Sequence, residues 1–94
     1  MQVSGTVKTA LGSIYINKLC KHFTHRVTAE WDQFKGTIHF DMGQCVITAS
    51  QHTLTFICKA ESKDELNTIL EVVKSHFDRF AIKDQLELNW QTNS

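Results

Sequence analysis

The chain has 94 residues, ten Lys plus Arg against ten Asp plus Glu, and a hydrophobic share of 41% that includes two Trp and six Phe. A chain of this length makes one domain, taken as residues 1–94, and its apolar share supplies one core and excludes disorder. Neutral net charge leaves no electrostatic case for nucleic acid or an anionic membrane surface, because both need clustered positive charge.

Val3, Gly5 and Val7 alternate with Ser4, Thr6 and Lys8, which is the period of a strand. Residues 10–23 read as a helix whose stripe is Leu11, Tyr15, Leu19 and Phe23, widened by Ile16. Val27, Ala29 and Trp31 alternate with Thr28 and Glu30 as the next strand, and Gly36 marks a turn after it. Ile38 with Phe40, then Cys45, Ile47 and Ala49, then Leu54, Phe56 and Cys58 give three more strands joined by short turns, an antiparallel meander. Ser62-Lys63-Asp64-Glu65 is a capping box, and the helix it opens carries Leu66, Ile69, Leu70, Val73, Phe77 and Phe80 on one stripe. Leu86, Leu88 and Trp90 alternate with Glu87 and Asn89 as a closing edge strand.

The predicted order is β-α-β-β-β-β-α with a final short strand. This is an α+β fold in which an antiparallel sheet carries two helices on one face, since each helix has a single apolar stripe. The other face then shows Thr28, Glu30, Thr37, His39, Thr48, Thr53 and Thr55, which an antiparallel sheet tolerates. A short motif occurs twice: one helix is read as ending in His22-Phe23 before a strand closing on Trp31, the other in His76-Phe77 before a strand closing on Trp90. That is weak internal pseudo-symmetry, and it places two histidines at matching points.

No apolar run reaches the roughly 20 residues that span a bilayer, and Met1-Gln2-Val3-Ser4-Gly5 lacks the basic start and apolar stretch of a signal peptide. A cytoplasmic location is expected. Cys20, Cys45 and Cys58 are odd in number and far apart, so they read as small hydrophobes rather than a disulfide framework or a zinc ribbon.

The residues that could carry chemistry are Tyr15, His22, His25, His76 and Arg79. Cys20, His22 and His25 resemble metal ligands, and the pseudo-symmetry lets His76 join them where the helix ends meet, but positions two apart diverge on a helix and two imidazoles are too few for structural zinc. No metal and no cofactor is expected. His22 and His76 in the last turn of a helix complement its dipole and can donate to unpaired carbonyls, which accounts for their positions without function. Tyr15 shares a helix face with His22, an arrangement open to acid–base work, although a rim tyrosine of the core is the commoner case. Arg79 could hold a carboxylate or phosphate in its fork, or pair with Asp78 or Asp84. There is no Gly-rich phosphate loop, no nucleophile elbow and no carboxylate dyad.

Tyr15-x-x-x-Leu19-Cys20-x-His22-Phe23, Glu30-Trp31, Gly36-x-Ile38-x-Phe40, Gly43-x-Cys45, Leu54, His76-Phe77-x-Arg79-Phe80-Ala81 and Leu86-x-Leu88-x-Trp90 follow one another in order along nearly the whole chain. In this pattern the chain resembles bacterial domain-of-unknown-function family 2218. The resemblance implies a fold similar to the TATA-binding-protein-like and phosphohexomutase C-terminal domains. It also implies an association with siderophore-interacting, flavin-dependent reductases, but no catalytic residues. Ile14 and Lys18 stand where the family usually has Arg and often has Gln, which weakens any family site built on that arginine.

Two functions are expected from this reading. The first is a non-enzymatic binding or accessory module, in a siderophore-iron setting, using His22, His25, His76 and Arg79 with a small ligand or a protein partner. The alternative is a small metal-assisted or acid–base enzyme using Tyr15, His22 and His76. A homodimer through an edge strand or the polar sheet face is a third expectation.

Overall fold

Period-two alternation becomes six strands and the two apolar stripes become two helices. In the computed structural model, which describes residues 1–92, these are β1 (Gln2–Lys8), α1 (Gly12–Phe23), β2 (Thr28–Trp31), β3 (Lys35–Phe40), β4 (Gly43–Ala49), β5 (Thr53–Ala60), α2 (Lys63–Ala81) and β6 (Asn89–Thr92). The sheet runs β2-β3-β4-β5-β1-β6, and every neighbouring pair is antiparallel. The α+β order read from the sequence is the one observed.

Register explains the core. Ala29, Ile38, Cys45, Cys58 and Val3 are successive partners across five strands. A second row runs Trp31, Gly36, Ile47, Phe56, Gly5 and Trp90 across all six. Both rows point to the helix side, because side chains alternate along a strand. Tyr15, Ile16, Leu19, Cys20 and Phe23 of α1 and Leu66, Ile69, Val73, Phe77 and Ala81 of α2 pack onto them in one cluster. Phe77 joins the layers, 5.3 Å from the Tyr15 ring on the other helix and 5.5 Å from the Phe56 ring on the sheet. The three cysteines are fully buried and free. Burial pushes the Cys20 thiol up to about 11, where it is an inert hydrophobe.

The opposite face carries Thr28, Glu30 and His39 exposed and Thr37, Thr48, Thr53 and Thr55 half-buried. The cross-strand pair Val46 and Ile57 is the apolar patch at its middle. Among the described residues, no helix is long and apolar enough to cross a membrane.

Four boundaries differ from the sequence reading. Helix α1 starts at Gly12, so Leu11 is its N-cap and lies outside the buried stripe. Strand β2 starts at Thr28, which leaves Val27 in the turn. Helix α2 continues to Ala81, because the apolar spacing runs on through Phe77 and Phe80 with no Gly or Pro to stop it. His76 is therefore inside the helix and not in its last turn. Finally, a 3-10 turn at Ile82–Asp84 and a left-handed Gln85 (φ 56°) reverse the chain. Strand β6 then begins only at Asn89, although Leu88 is still buried.

The Ser62 cap forms as expected, with its hydroxyl oxygen accepting from the Glu65 N–H at 3.1 Å. Glu65 returns to the Ser62 hydroxyl at 3.0 Å.

Candidate functional site

Helix α1 delivers His22 to the edge of the helix layer. The Phe before the helix end anchors it: Phe23 is buried against Phe40 of β3, with ring centroids 5.6 Å apart. One step along a helix turns a side chain by about 100°, so with Phe23 held in the core His22 faces outward. The chain then curls tightly over the helix end. Thr24 N–H donates to Cys20 O, Arg26 N–H to Phe23 O at 3.0 Å and Val27 N–H to Phe23 O at 2.9 Å. These bonds satisfy the last helix carbonyls and set His25, Arg26 and Val27 around the same spot.

Helix α2 supplies the facing wall through Val72, His76 and Arg79, three and four residues apart on one side. The His76 Nδ1 lies 2.7 Å from the Val72 carbonyl oxygen. A carbonyl only accepts, so Nδ1 carries the hydrogen and Nε2 is left for other partners. The His22 and His76 rings meet with centroids 4.8 Å apart, and His22 also lies 5.6 Å from the Phe80 ring and 6.5 Å from the His25 ring.

Between these walls is a cavity of 570 Å³ lined by His22, Phe23, His25, Arg26, Val27, Phe40, Val72, His76 and Arg79. None of these is a carboxylate. Asp78 is engaged by Lys74 at 3.0 Å, and Asp84 accepts from the Tyr15 hydroxyl. The ion pairs expected for Arg79 with either acid are therefore not made, and among the described residues Arg79 has no salt bridge. The pKa of His22 is lowered, first by its partial desolvation and then by His76, His25, Arg79 and Arg26. All four neighbours act in the sense expected of an uncompensated cationic cluster.

Tyr15 is placed elsewhere. It is buried, absent from the cavity lining and hydrogen-bonded to Asp84 beyond the end of α2. Burial, followed by that hydrogen bond and the Asp84 charge, pushes its pKa up to about 12. The structure thus gathers His22, His25, His76 and Arg79 and leaves Tyr15 out, so the trio Tyr15, His22 and His76 is not assembled as one acid–base set. Cys20 faces the core, away from His22. Among the described residues, no group of three or more His, Cys, Asp and Glu side chains is placed to hold a metal ion.

A larger groove of 810 Å³ runs past the β3–β4 turn. Its lining mixes Asp41, Glu61 and Glu65 with His39 and Lys59, so its charges offset one another, unlike those of the cavity.

The family described as an uncharacterized protein conserved in bacteria (DUF2218) matches residues 4–91. The chain belongs to that family. Among solved structures it is similar to the NMR structure of PA4090 from Pseudomonas aeruginosa, with 30% identity and a TM-score of 0.79 over 96% of this chain and 94% of that chain. No curated protein matches the chain. Membership of DUF2218 accounts for the ordered residue pattern of the sequence and assigns no chemistry to it.

Five lining residues of this DUF2218 chain were not singled out from the sequence: Phe23, Arg26, Val27, Phe40 and Val72. Val72 was findable, since it precedes His76 by one helical turn on the same face. Phe23 and Phe40 read as core by periodicity, and they are core residues whose edges also border the cavity. Arg26 and Val27 depend on the curl of the chain after α1, which carries no periodic signal.

Proposed function

We propose that this protein is a non-enzymatic binding or accessory module, and that the cavity between the end of α1 and α2 is its ligand site. One observation carries the reading. Two helices distant in sequence bring His22, His25, His76 and Arg79 to one cavity, with cationic side chains, apolar walls and no carboxylate in the lining. A small-molecule site is typically a concavity of roughly 300–1,000 Å³ with a few convergent polar groups on apolar walls, and this cavity has that size and make-up. The siderophore-iron setting implied by the family resemblance supports a place in iron utilisation and names the first compounds to try.

The test is a thermal-shift panel on the purified protein with zinc, ferrous and ferric iron, flavin, nucleotides and siderophores. A ligand at about 100 times its Kd adds about 2.7 kcal/mol of stability, a rise on the order of 10 °C for a domain of this size. The His22→Gln/His76→Gln double variant is expected to melt near the wild type and to lose that rise. A double variant that keeps the full ligand-induced rise would place the site elsewhere and overturn the reading.

A further inference from the structure

We propose that the cavity takes a small amphipathic organic anion, a molecule with one carboxylate head and an apolar body. The inference rests on the reading of the cavity as the ligand site and specifies what fills it.

The polar half of the cavity asks for an anion. His22 arrives on α1, His25 and Arg26 on the turn after it, and His76 and Arg79 on α2, while the β3 contribution, Phe40, is uncharged. No acid lines the cavity, and the two acids nearest Arg79 in sequence are bound by Lys74 and Tyr15. A carboxylate supplies the missing charge, and a guanidinium fork matches its two oxygens. His76 has a free Nε2 because Nδ1–H is committed to Val72.

The other half asks for something apolar. Phe23, Val27, Phe40 and Val72 supply the apolar lining, with the Phe23 ring 4.9 Å from the His76 ring and 5.7 Å from the His22 ring. At 570 Å³ the cavity is far larger than an inorganic anion needs, since a water molecule occupies roughly 30 Å³ of liquid. An inorganic ion would leave the apolar lining wet, and a neutral apolar molecule would leave Arg26 and Arg79 without a counter-charge. Only a molecule carrying both halves meets both requirements.

The test titrates the protein with naphthoate, naphthamide, inorganic phosphate and zinc ion, each followed in amide NMR spectra. Naphthoate is expected to perturb His22, Val72, His76 and Arg79, and to bind roughly tenfold or more tighter than naphthamide or phosphate, the ratio that one lost charged hydrogen bond gives. The Arg26→Gln/Arg79→Gln variant should weaken naphthoate by a similar factor with its melting temperature unchanged. Naphthamide binding as tightly as naphthoate, phosphate binding more tightly, or zinc alone perturbing these residues overturns the assignment of an amphipathic carboxylate and leaves the cavity as a ligand site. Perturbations that map away from the cavity for every probe, or none at all, overturn both.

Discussion

The imidazole rings of His22 and His76 lie 4.8 Å apart, tilted by 46°, and each is followed in sequence by a phenylalanine buried in the core. Phe23 packs on Phe40, while Phe77 packs on Tyr15 and Phe56. The repeated His-Phe pair thus has a mechanical meaning. The aromatic residue fixes the rotation of the helix, and the neighbouring histidine is turned to its edge. Two helices packed on one sheet face then bring the two edges together. Like groups held this close disfavour protonating both at once.

Partial desolvation first, and then His76, His25, Arg79 and Arg26, hold the His22 imidazole below its ordinary value of 6.5. The unfolded chain takes up its proton first as pH falls, so the folded state loses stability below about pH 6.5, and this group contributes no pH dependence well above it. The wild type should lose more melting temperature between neutral pH and pH 5 than His22→Gln does. Equal losses in the two proteins would contradict the placement of His22 in a cationic cluster. A bound carboxylate should reverse the sign of the shift, visible as a higher His22 midpoint in the ligand-saturated NMR titration.

Tyr15 gives a separate optical test, because it is the sole tyrosine. Its hydroxyl is buried and donates to Asp84. Tyrosinate absorbance should therefore rise near pH 12 rather than near the ordinary 10. The stability linked to this group is complete below pH 10 and is lost as pH rises from 10 toward 12. The Tyr15→Phe protein should lack that alkaline loss. A tyrosinate transition centred on pH 10 in folded protein would show the hydroxyl to be solvated.

What the sequence made legible follows from range. Alternation in β1, β3, β4 and β5 and the stripe of α2 are local signals, and each became an element with its apolar side inward. The two histidines were legible through the repeat. The Tyr15–Asp84 bond was not, since its partners are 69 residues apart and no periodicity links a helix residue to a turn beyond the other helix. The expected pairing of Arg79 failed for a local reason: Lys74, one helical turn from Asp78, takes that carboxylate. The last strand was read too long because Leu86 and Leu88 alternate like strand residues. The left-handed Gln85 just before them delays pairing until Asn89.

Each edge tryptophan covers a glycine in its own cross-strand row: Trp31 is the partner of Gly36, and Trp90 of Gly5. At Gly5 an added Cβ would sit 2.7 Å from a Trp90 ring carbon and 2.9 Å from a Leu88 methyl. Gly5→Ala should therefore lever β6 away from β1 while leaving the β2 edge alone. Emission from Trp90, isolated in a Trp31→Phe background, should shift to the red, and Trp31 emission in a Trp90→Phe background should not change with the Gly5 substitution. Unchanged Trp90 emission would mean that the edge strand yields without losing its packing.

Adjacent positions on α2 should separate stability from site. Phe77 is fully buried between Tyr15 and Phe56, so Phe77→Ala removes a large side chain from a filled core and should cost about 3–5 kcal/mol. At roughly 4–8 °C per kcal/mol for a domain of this size, the melting temperature should fall by more than about 12 °C. His76→Gln loses the bond from Nδ1 to the Val72 carbonyl, but that carbonyl still accepts the backbone bond of the helix. The expected cost is below about 1 kcal/mol. Thermal melts of the two variants side by side decide the matter. If His76→Gln melts as low as Phe77→Ala, the imidazole is a structural element of the helix pair rather than part of a ligand site.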